Sequence, residues 1–253
     1  MNDNEFMDVR FGTHVLRYHF LYENTWLYFG AFQTQTCAPH GEVICSDRGT
    51  VEELFRSSDD FHDLSHAEYW SLLDLTASAL LKMESCIFHS AAFIWRGKAW
   101  VLTAPSGTGK TTQYRLWRTL YGDRVRIING DKPVLEMDED GNILVCPSPW
   151  SGKENYGGLR TALLGGMIWL EQGPINSIRR TSGTEAVPRI FSAMWNLPES
   201  EEDVSVMSRI TETIVTRYPV WKLINRGDAA SAELTRAAID QWIDSSQVNQ
   251  NEI

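Results

Sequence analysis

The chain has 253 residues and a formal net charge of −10 at neutral pH, with a pI near 5.1, which excludes a nucleic-acid binder built on a broad basic surface. Apolar residues make up 43% and aromatics 11%, with ten tryptophans, enough to fill one α/β domain carrying a small appendage. No run reaches the ~18 apolar residues of a membrane span, the acidic start 1–5 leads into no signal-type apolar core, and the four cysteines lack C-x-x-C spacing; a cytoplasmic protein with reduced thiols is expected.

In chain order, residues 11–30 read as a hairpin. Leu16, Tyr18, Phe20 and Tyr22 alternate, Glu23-Asn24 supply the turn, and Trp26 to Phe29 return. A polar, turn-rich stretch follows to about residue 60. The pattern over 65–83 predicts a helix, with Ser65 as N-cap and Glu68 closing a capping box. Residues 86–95 read as one strand, Arg96-Gly97 as a tight turn, and 98–103 as the next strand. Short strands are expected at 125–128, 133–137 and 143–146, then at 167–171 and 177–180. A helix over 185–195 is expected to break near Pro188. Residues 204–217 form a helix, 219–224 a strand, and 229–243 a closing helix with Ala230, Leu234, Ala238 and Trp242 on one face. The last ten or so residues carry no pattern and read as frayed. The division expected is a β-rich segment over 1–60, the main domain over 61–246 and a disordered tail over 247–253. The strands lack regular intervening helices, which predicts a mixed sheet with hairpins rather than a doubly wound one.

The densest signal is Ala104-Pro105-Ser106-Gly107-Thr108-Gly109-Lys110-Thr111-Thr112. It sits between an apolar strand and a helical stripe of Leu116, Trp117, Leu120 and Tyr121, the context of a phosphate-binding loop. Glycines let successive amides turn toward phosphate oxygens, and the helix start adds partial positive charge. Lys110 would neutralise phosphates and the Thr111 hydroxyl would ligate Mg²⁺. Ala104 stands where the G-x-x-x-x-G-K-[ST] pattern has its first glycine, a mild change if φ there is negative. Beyond the apolar stretch Ile127-Ile128 comes Asn129-Gly130-Asp131-Lys132-Pro133. An acid at a strand end can hold Mg²⁺ or take a proton, but Asn-Gly is also the strongest hairpin dipeptide. Local sequence leaves Asp131 open between those two readings. Pro149-Trp150-Ser151-Gly152-Lys153, alone, reads as a turn with an aromatic anchor.

Taken together, these strings resemble the HPr-kinase-like P-loop proteins, whose nucleotide-binding core is shared with HPr kinase/phosphorylase and phosphoenolpyruvate carboxykinase. The resemblance rests on His89-Ser90-Ala91-Ala92, Arg96-Gly97-Lys98-Ala99, the loop 104–111, Leu116-Trp117, Asn129 to Pro133 and Pro149 to Lys153. It covers roughly residues 85 to 175 and leaves the first 60 unmatched. It implies a P-loop α/β core with a mixed, hairpin-containing sheet flanked by helices, plus the small N-terminal segment. It implies a Mg²⁺- and ATP-dependent kinase that moves the γ-phosphate to a hydroxyl, Ser/Thr-like, of a peptide, protein or small molecule. Residues Pro105 to Thr112 would hold ATP, with Lys153 adding charge. Thr111 and Asp131 would hold Mg²⁺, and Asp131, Lys110 and His89 would act in catalysis. HPr kinases carry two adjacent aspartates where this chain has Gly130 and Asp131, and HPr kinase's own C-terminal signature is absent. The missing signature implies that HPr itself is not the substrate, while the missing aspartate and Ala104 favour the alternative, an ATP-binding sensor or scaffold with a degenerate site. His89 reads equally as a core histidine, and Arg160 as a surface cation. Gly157-Gly158 suit a lid or an ordinary loop. Neither nucleic acid nor membrane is an expected partner. The aromatic N-terminal hairpin offers a face for self-association.

Overall fold

The computed structural model describes residues 6–195 and 198–250, with side chains through residue 245. Strands β1 (Phe6–Phe11) and β2 (His14–His19) form a two-stranded antiparallel sheet. Three short helical stretches follow, of which the middle one is α1 (Trp26–Phe29). Then come α2 (Arg48–Ser57), α3 (Leu64–Leu81), β3 (Ser85–Ile87), β4 (Ser90–Trp95), β5 (Lys98–Thr103), α4 (Lys110–Tyr121), β6 (Arg126–Asn129), β7 (Val134–Met137) and β8 (Ile143–Cys146). The remainder is β9 (Ala162–Gln172), β10 (Ser177–Arg180), α5 (Gly183–Ala193), α6 (Glu201–Arg217), β11 (Val220–Asn225) and α7 (Ala229–Gln250).

Nine strands make a mixed sheet in the order β3-β7-β8-β9-β5-β4-β6, with β11 on β9 and β10 on β11. The pairs β5–β9 and β9–β11 are parallel. The other pairs are antiparallel. Strands β4 and β5 are buried almost throughout, as strands covered on both faces must be. Their side chains alternate between two layers. Ala92, Ala99 and Val101 face a core shared with Ile190 of α5 and Met207, Ile210 and Ile214 of α6. Phe93, Trp100 and Leu102 face a core shared with Trp117 of α4 and Ile239 of α7.

The first sixty residues pack on this framework through a third core. Val9, Phe11, Tyr18 and Phe29 meet Leu72, Leu73 and Leu80 of α3, together with Val134, Cys146 and Trp150. The hairpin lies earlier than the aromatic pattern implies, with its turn at Gly12-Thr13, where Gly12 has φ 61. Trp26 to Phe29 form a helical turn rather than a returning strand, because their rings lodge against α3: Tyr28 stacks on Tyr69 at 4.4 Å. Helix α3 is capped by Asp63, whose side chain accepts from His66 N, and not by Ser65. Glu68 leaves the capping box altogether. It is buried and accepts hydrogen bonds from Leu21 N (2.6 Å), Tyr22 N (3.1 Å) and Thr25 Oγ1 (2.5 Å), tying the N-terminal segment to α3.

Elsewhere the differences are smaller. The strand expected over 86–95 is two, broken at Phe88-His89 where the chain crosses from β7 to β5. Helix α5 runs through Pro188, burying Ala186, Ile190 and Ala193. The closing helix continues to Gln250, so the backbone is helical over 247–250 where a disordered tail was expected; residues 251–253 lie outside the described residues. No helix among the described residues is long and apolar enough to cross a membrane.

Glu68→Ala would leave three donors without their acceptor. The expected cost is about 3 kcal/mol, read as a lower urea midpoint at unchanged slope. A midpoint within error of wild type would remove Glu68 as the anchor.

Candidate functional site

The turn Arg96-Gly97, with φ 48 and 78, is the two-residue loop that matches strand twist, and it aims β5 at the segment 104–109. Gly107 (φ 77) and Gly109 (φ 111) occupy left-handed conformations. Such backbone favours glycine, and it turns the chain into α4 without a capping side chain. Pro105, Ser106 and Gly107 are exposed, Thr108, Gly109 and Thr111 half-buried, Thr112 exposed and Lys110 buried. The first amides of α4 therefore start from an open glycine loop, which is the anion-receptive end of a helix.

Lys110 points back into the protein. Its Nζ lies 2.9 Å from Ala104 O and 3.1 Å from His89 Nε2. Burial holds its pKa below the ordinary lysine value, opposed by the attraction of Asp131. His89 stands at the β3–β4 break, its backbone held by Ala193 O and by the Thr103 hydroxyl. The same Nε2 lies 3.3 Å from Asp131 Oδ1. One ring nitrogen cannot serve both neighbours at once: unprotonated it accepts from Lys110, and protonated it donates to Asp131.

Asp131 follows β6, on a turn shaped by Asn129, whose Oδ1 accepts from both Asp131 N and Lys132 N at 2.8 Å. Asn129 Nδ2 in turn donates to Ser148 O. Asp131 is thus a strand-end acid and not an exposed hairpin tip. Burial disfavours its charged form, but the hydrogen bond from His89 and the Lys132 ammonium outweigh that and hold the carboxyl below its usual range.

Sequence reasoning gave Lys132 no role. Its side chain is 4% exposed and its Nζ sits 2.8 Å from Asp131 Oδ2. The ammonium also lies 4.4 Å over the Trp195 ring, whose Nε1 donates to Asp74 Oδ1. The adjacency of Lys132 to Asp131 was visible in sequence, but Trp195 and Asp74 come from distant segments and left no signal. Among the described residues the cluster therefore holds two buried ammoniums and one carboxylate.

Lys153 is exposed and has no hydrogen bond or ion pair among the described residues. It lines a cavity of about 880 Å³ walled by segments near residues 28, 61, 69 and 150. Gly152 of that wall touches Asp131, since a Cβ on it would lie 3.1 Å from Asp131 Cβ. Arg160 is elsewhere. Gly157 bridges to Asn129 and Gly158 N donates to Ile128 O, so the chain runs back along β6. This brings Arg160 to a cleft with Arg96, Arg124 and Arg126 at the far end of the strands. Gly157-Gly158 are accordingly a pinned edge and not a lid.

A Cβ on Gly130 would lie 2.7 Å from Ser151 O and 3.1 Å from Tyr156 O, so the chain has no room for a side chain at this position.

No known family profile matches the chain. No curated protein matches it either. Among solved structures it is similar to the Hpr(Ser) kinase/phosphatase from Coxiella burnetii, at 12% identity and a TM-score of 0.27, over 50% of this chain and 88% of that one. That score is too low to assign a shared fold.

Gly130→Asp should destabilise the chain by about 1–3 kcal/mol through overpacking, measured by denaturant unfolding. A variant as stable as wild type would show that the 151–156 segment yields readily.

Proposed function

We propose that the protein is a Mg²⁺·ATP-dependent phosphotransferase acting on a hydroxyl. The observation that carries this reading is the charge imbalance of the cluster: Lys110 and Lys132 are buried around Asp131 alone. Buried ammoniums without full compensation are costly, and an incoming polyanion supplies the missing charge. The open glycine loop and uncapped helix start lie beside Lys110, so the donors that suit phosphate oxygens are contiguous with the cation.

The residues fit the nucleotide and its metal. The Thr111 hydroxyl has no hydrogen-bond partner among the described residues, and Asp131 is the carboxylate of the Lys110 cluster; Mg²⁺ takes one or two such groups together with substrate phosphates. Thr111 and Asp131 would hold it, and when bound it supplies charge neutralisation of the phosphates. In the proposed reaction the loop 105–109 and the first amides of α4 bind the phosphates. Lys110 exchanges its Ala104 carbonyl for a phosphate oxygen. Asp131 accepts the proton of the acceptor hydroxyl as that oxygen bonds to the γ-phosphorus and the bond to the β,γ-bridging oxygen breaks, with ADP leaving. His89, donating from Nε2, orients the Asp131 carboxylate. Lys132 keeps that carboxylate ionised. Positioning and charge neutralisation do most of the work in this chemistry.

A second reading, an ATP-binding sensor without chemistry, is favoured by Gly130. The site has a single carboxylate, and both its oxygens already face cationic or histidine partners.

The deciding experiment uses γ-labelled ATP, Mg²⁺ and size-fractionated host extract. Wild type is expected to label one fraction and Lys110→Ala none. Asp131→Asn should retain ATP binding while transfer falls roughly 10²–10⁴-fold. Saturable ATP binding that needs Lys110, with no transfer, would select the sensor reading. Full transfer by Asp131→Asn would remove Asp131 as the base.

A further inference from the structure

The cavity of about 880 Å³ is built by three segments remote in sequence: residues 27–32, the α2–α3 connection with the start of α3, and residues 148–159. Its floor carries stacked rings: Tyr28 lies on Tyr69 at 4.4 Å and on His66 at 5.9 Å. Behind them Tyr69 lies on the fully buried Trp150 at 5.7 Å. The Tyr69 hydroxyl donates to Pro149 O and Trp150 Nε1 donates to Tyr69 O, so the polar ends of these rings are spent inside the wall. Trp70 Nε1 donates to His66 Nε2. Burial, reinforced by neighbouring His62, holds the His66 pKa below the ordinary value, leaving an uncharged ring at neutral pH. Leu27 and Leu159 on the lining are 80% and 64% exposed. Two large aliphatic side chains left in water beside an aromatic concavity leave apolar surface for a ligand to cover.

The contact order across the site is Lys110, His89, Asp131, Gly152. The glycine loop lies at the Lys110 end and the cavity at the Gly152 end. In-line transfer places the donor and acceptor oxygens on opposite sides of the phosphorus, with the base beside the acceptor oxygen, so the acceptor belongs on the Asp131 side, away from the glycine loop. Lys153, next to Gly152 and with no hydrogen bond or ion pair among the described residues, lines the cavity on the side of Asp131.

We infer that this cavity is the acceptor site, and that the acceptor is a small hydroxyl compound with an apolar, ring-bearing body. The inference rests on the phosphotransferase reading above. The volume suits a ligand of drug-like size, and stacked rings recognise flat apolar groups. Hydroxyl specificity would come from Asp131, which lies against Gly152 of the wall, and retention of the body from the rings and the two leucines. The N-terminal sixty residues thereby acquire a role, since they supply one wall of the cavity.

The test has two arms. In the first, the fluorescent probe 8-anilinonaphthalene-1-sulfonate, a ring-bearing anion, is titrated into the full chain. One saturable site is expected. Its Kd should rise at least about tenfold in Leu27→Asp and in Leu159→Asp, rise several-fold in Lys153→Gln, and stay unchanged in Lys110→Ala. Both leucines are exposed, so these variants should keep the wild-type circular dichroism. In the second arm, transfer from γ-labelled ATP to size fractions is measured. Label should enter a low-mass fraction, and the probe should compete with that fraction but not with ATP. Leu27→Asp should lose transfer while retaining ATP binding. Probe binding indifferent to Leu27 and Leu159, transfer unchanged in Leu27→Asp, or label entering only protein-sized material would each overturn the assignment of the cavity and leave the phosphotransferase reading standing. Leucine-dependent probe binding with no transfer to any fraction would overturn the phosphotransferase reading and with it the acceptor role.

Discussion

Two buried ammoniums sharing one carboxylate is the constraint around which the rest of this site is arranged. Lys110 and Lys132 are both nearly excluded from water, and Asp131 is the acid within reach of the cluster. An ammonium removed from water is tolerated only with compensation. Here compensation is partial and borrowed: a main-chain carbonyl and an imidazole for Lys110, an aromatic face and half a carboxylate for Lys132. The cluster is stable enough to fold but retains a positive excess. That excess is what makes the open glycine loop beside Lys110 chemically interesting, because a loop of left-handed glycines alone is only a turn.

The sheet topology explains why these groups meet. Strand β4 is antiparallel to both β5 and β6, with Ser90 opposite Thr103 and Ala92 opposite Asn129. The start of β4 therefore lies beside the ends of its two neighbours. His89 precedes β4, the glycine loop follows β5, and Asp131 follows β6, so three connections converge at one end of the strands. The opposite end receives the Arg96-Gly97 turn and Arg160, which is why Arg160 cannot serve this site. The convergence depends on strand direction before it depends on any single side chain.

The same reasoning marks what a sequence can and cannot disclose. Glycines, a lysine and a helical stripe in immediate succession define a local structure, and the loop from Ala104 into α4 was legible for that reason. The β4–β5 hairpin was legible because its turn chemistry is local. The aromatic run Trp26 to Phe29 misled because alternation of rings is compatible with a strand, while its conformation is set by packing on α3. Glu68 fits a capping-box spacing, yet it is drawn inward by three donors from the N-terminal segment. Trp195 over Lys132 and the walls of the cavity were invisible, since each needs segments brought together only by the tertiary fold.

Gly130 and Lys132 flank Asp131, and together they set its character. The backbone of Ser151 and Tyr156 closes on Gly130, which forbids a second carboxylate, and the same segment lays Gly152 against Asp131. On the other side, Lys132 sets a buried cation 2.8 Å from Asp131 Oδ2. The segment that excludes the second acid is also the wall of the aromatic cavity. The single carboxylate at this turn and the cavity beside it thus have one structural cause, the close approach of residues 151–156 to the turn after β6.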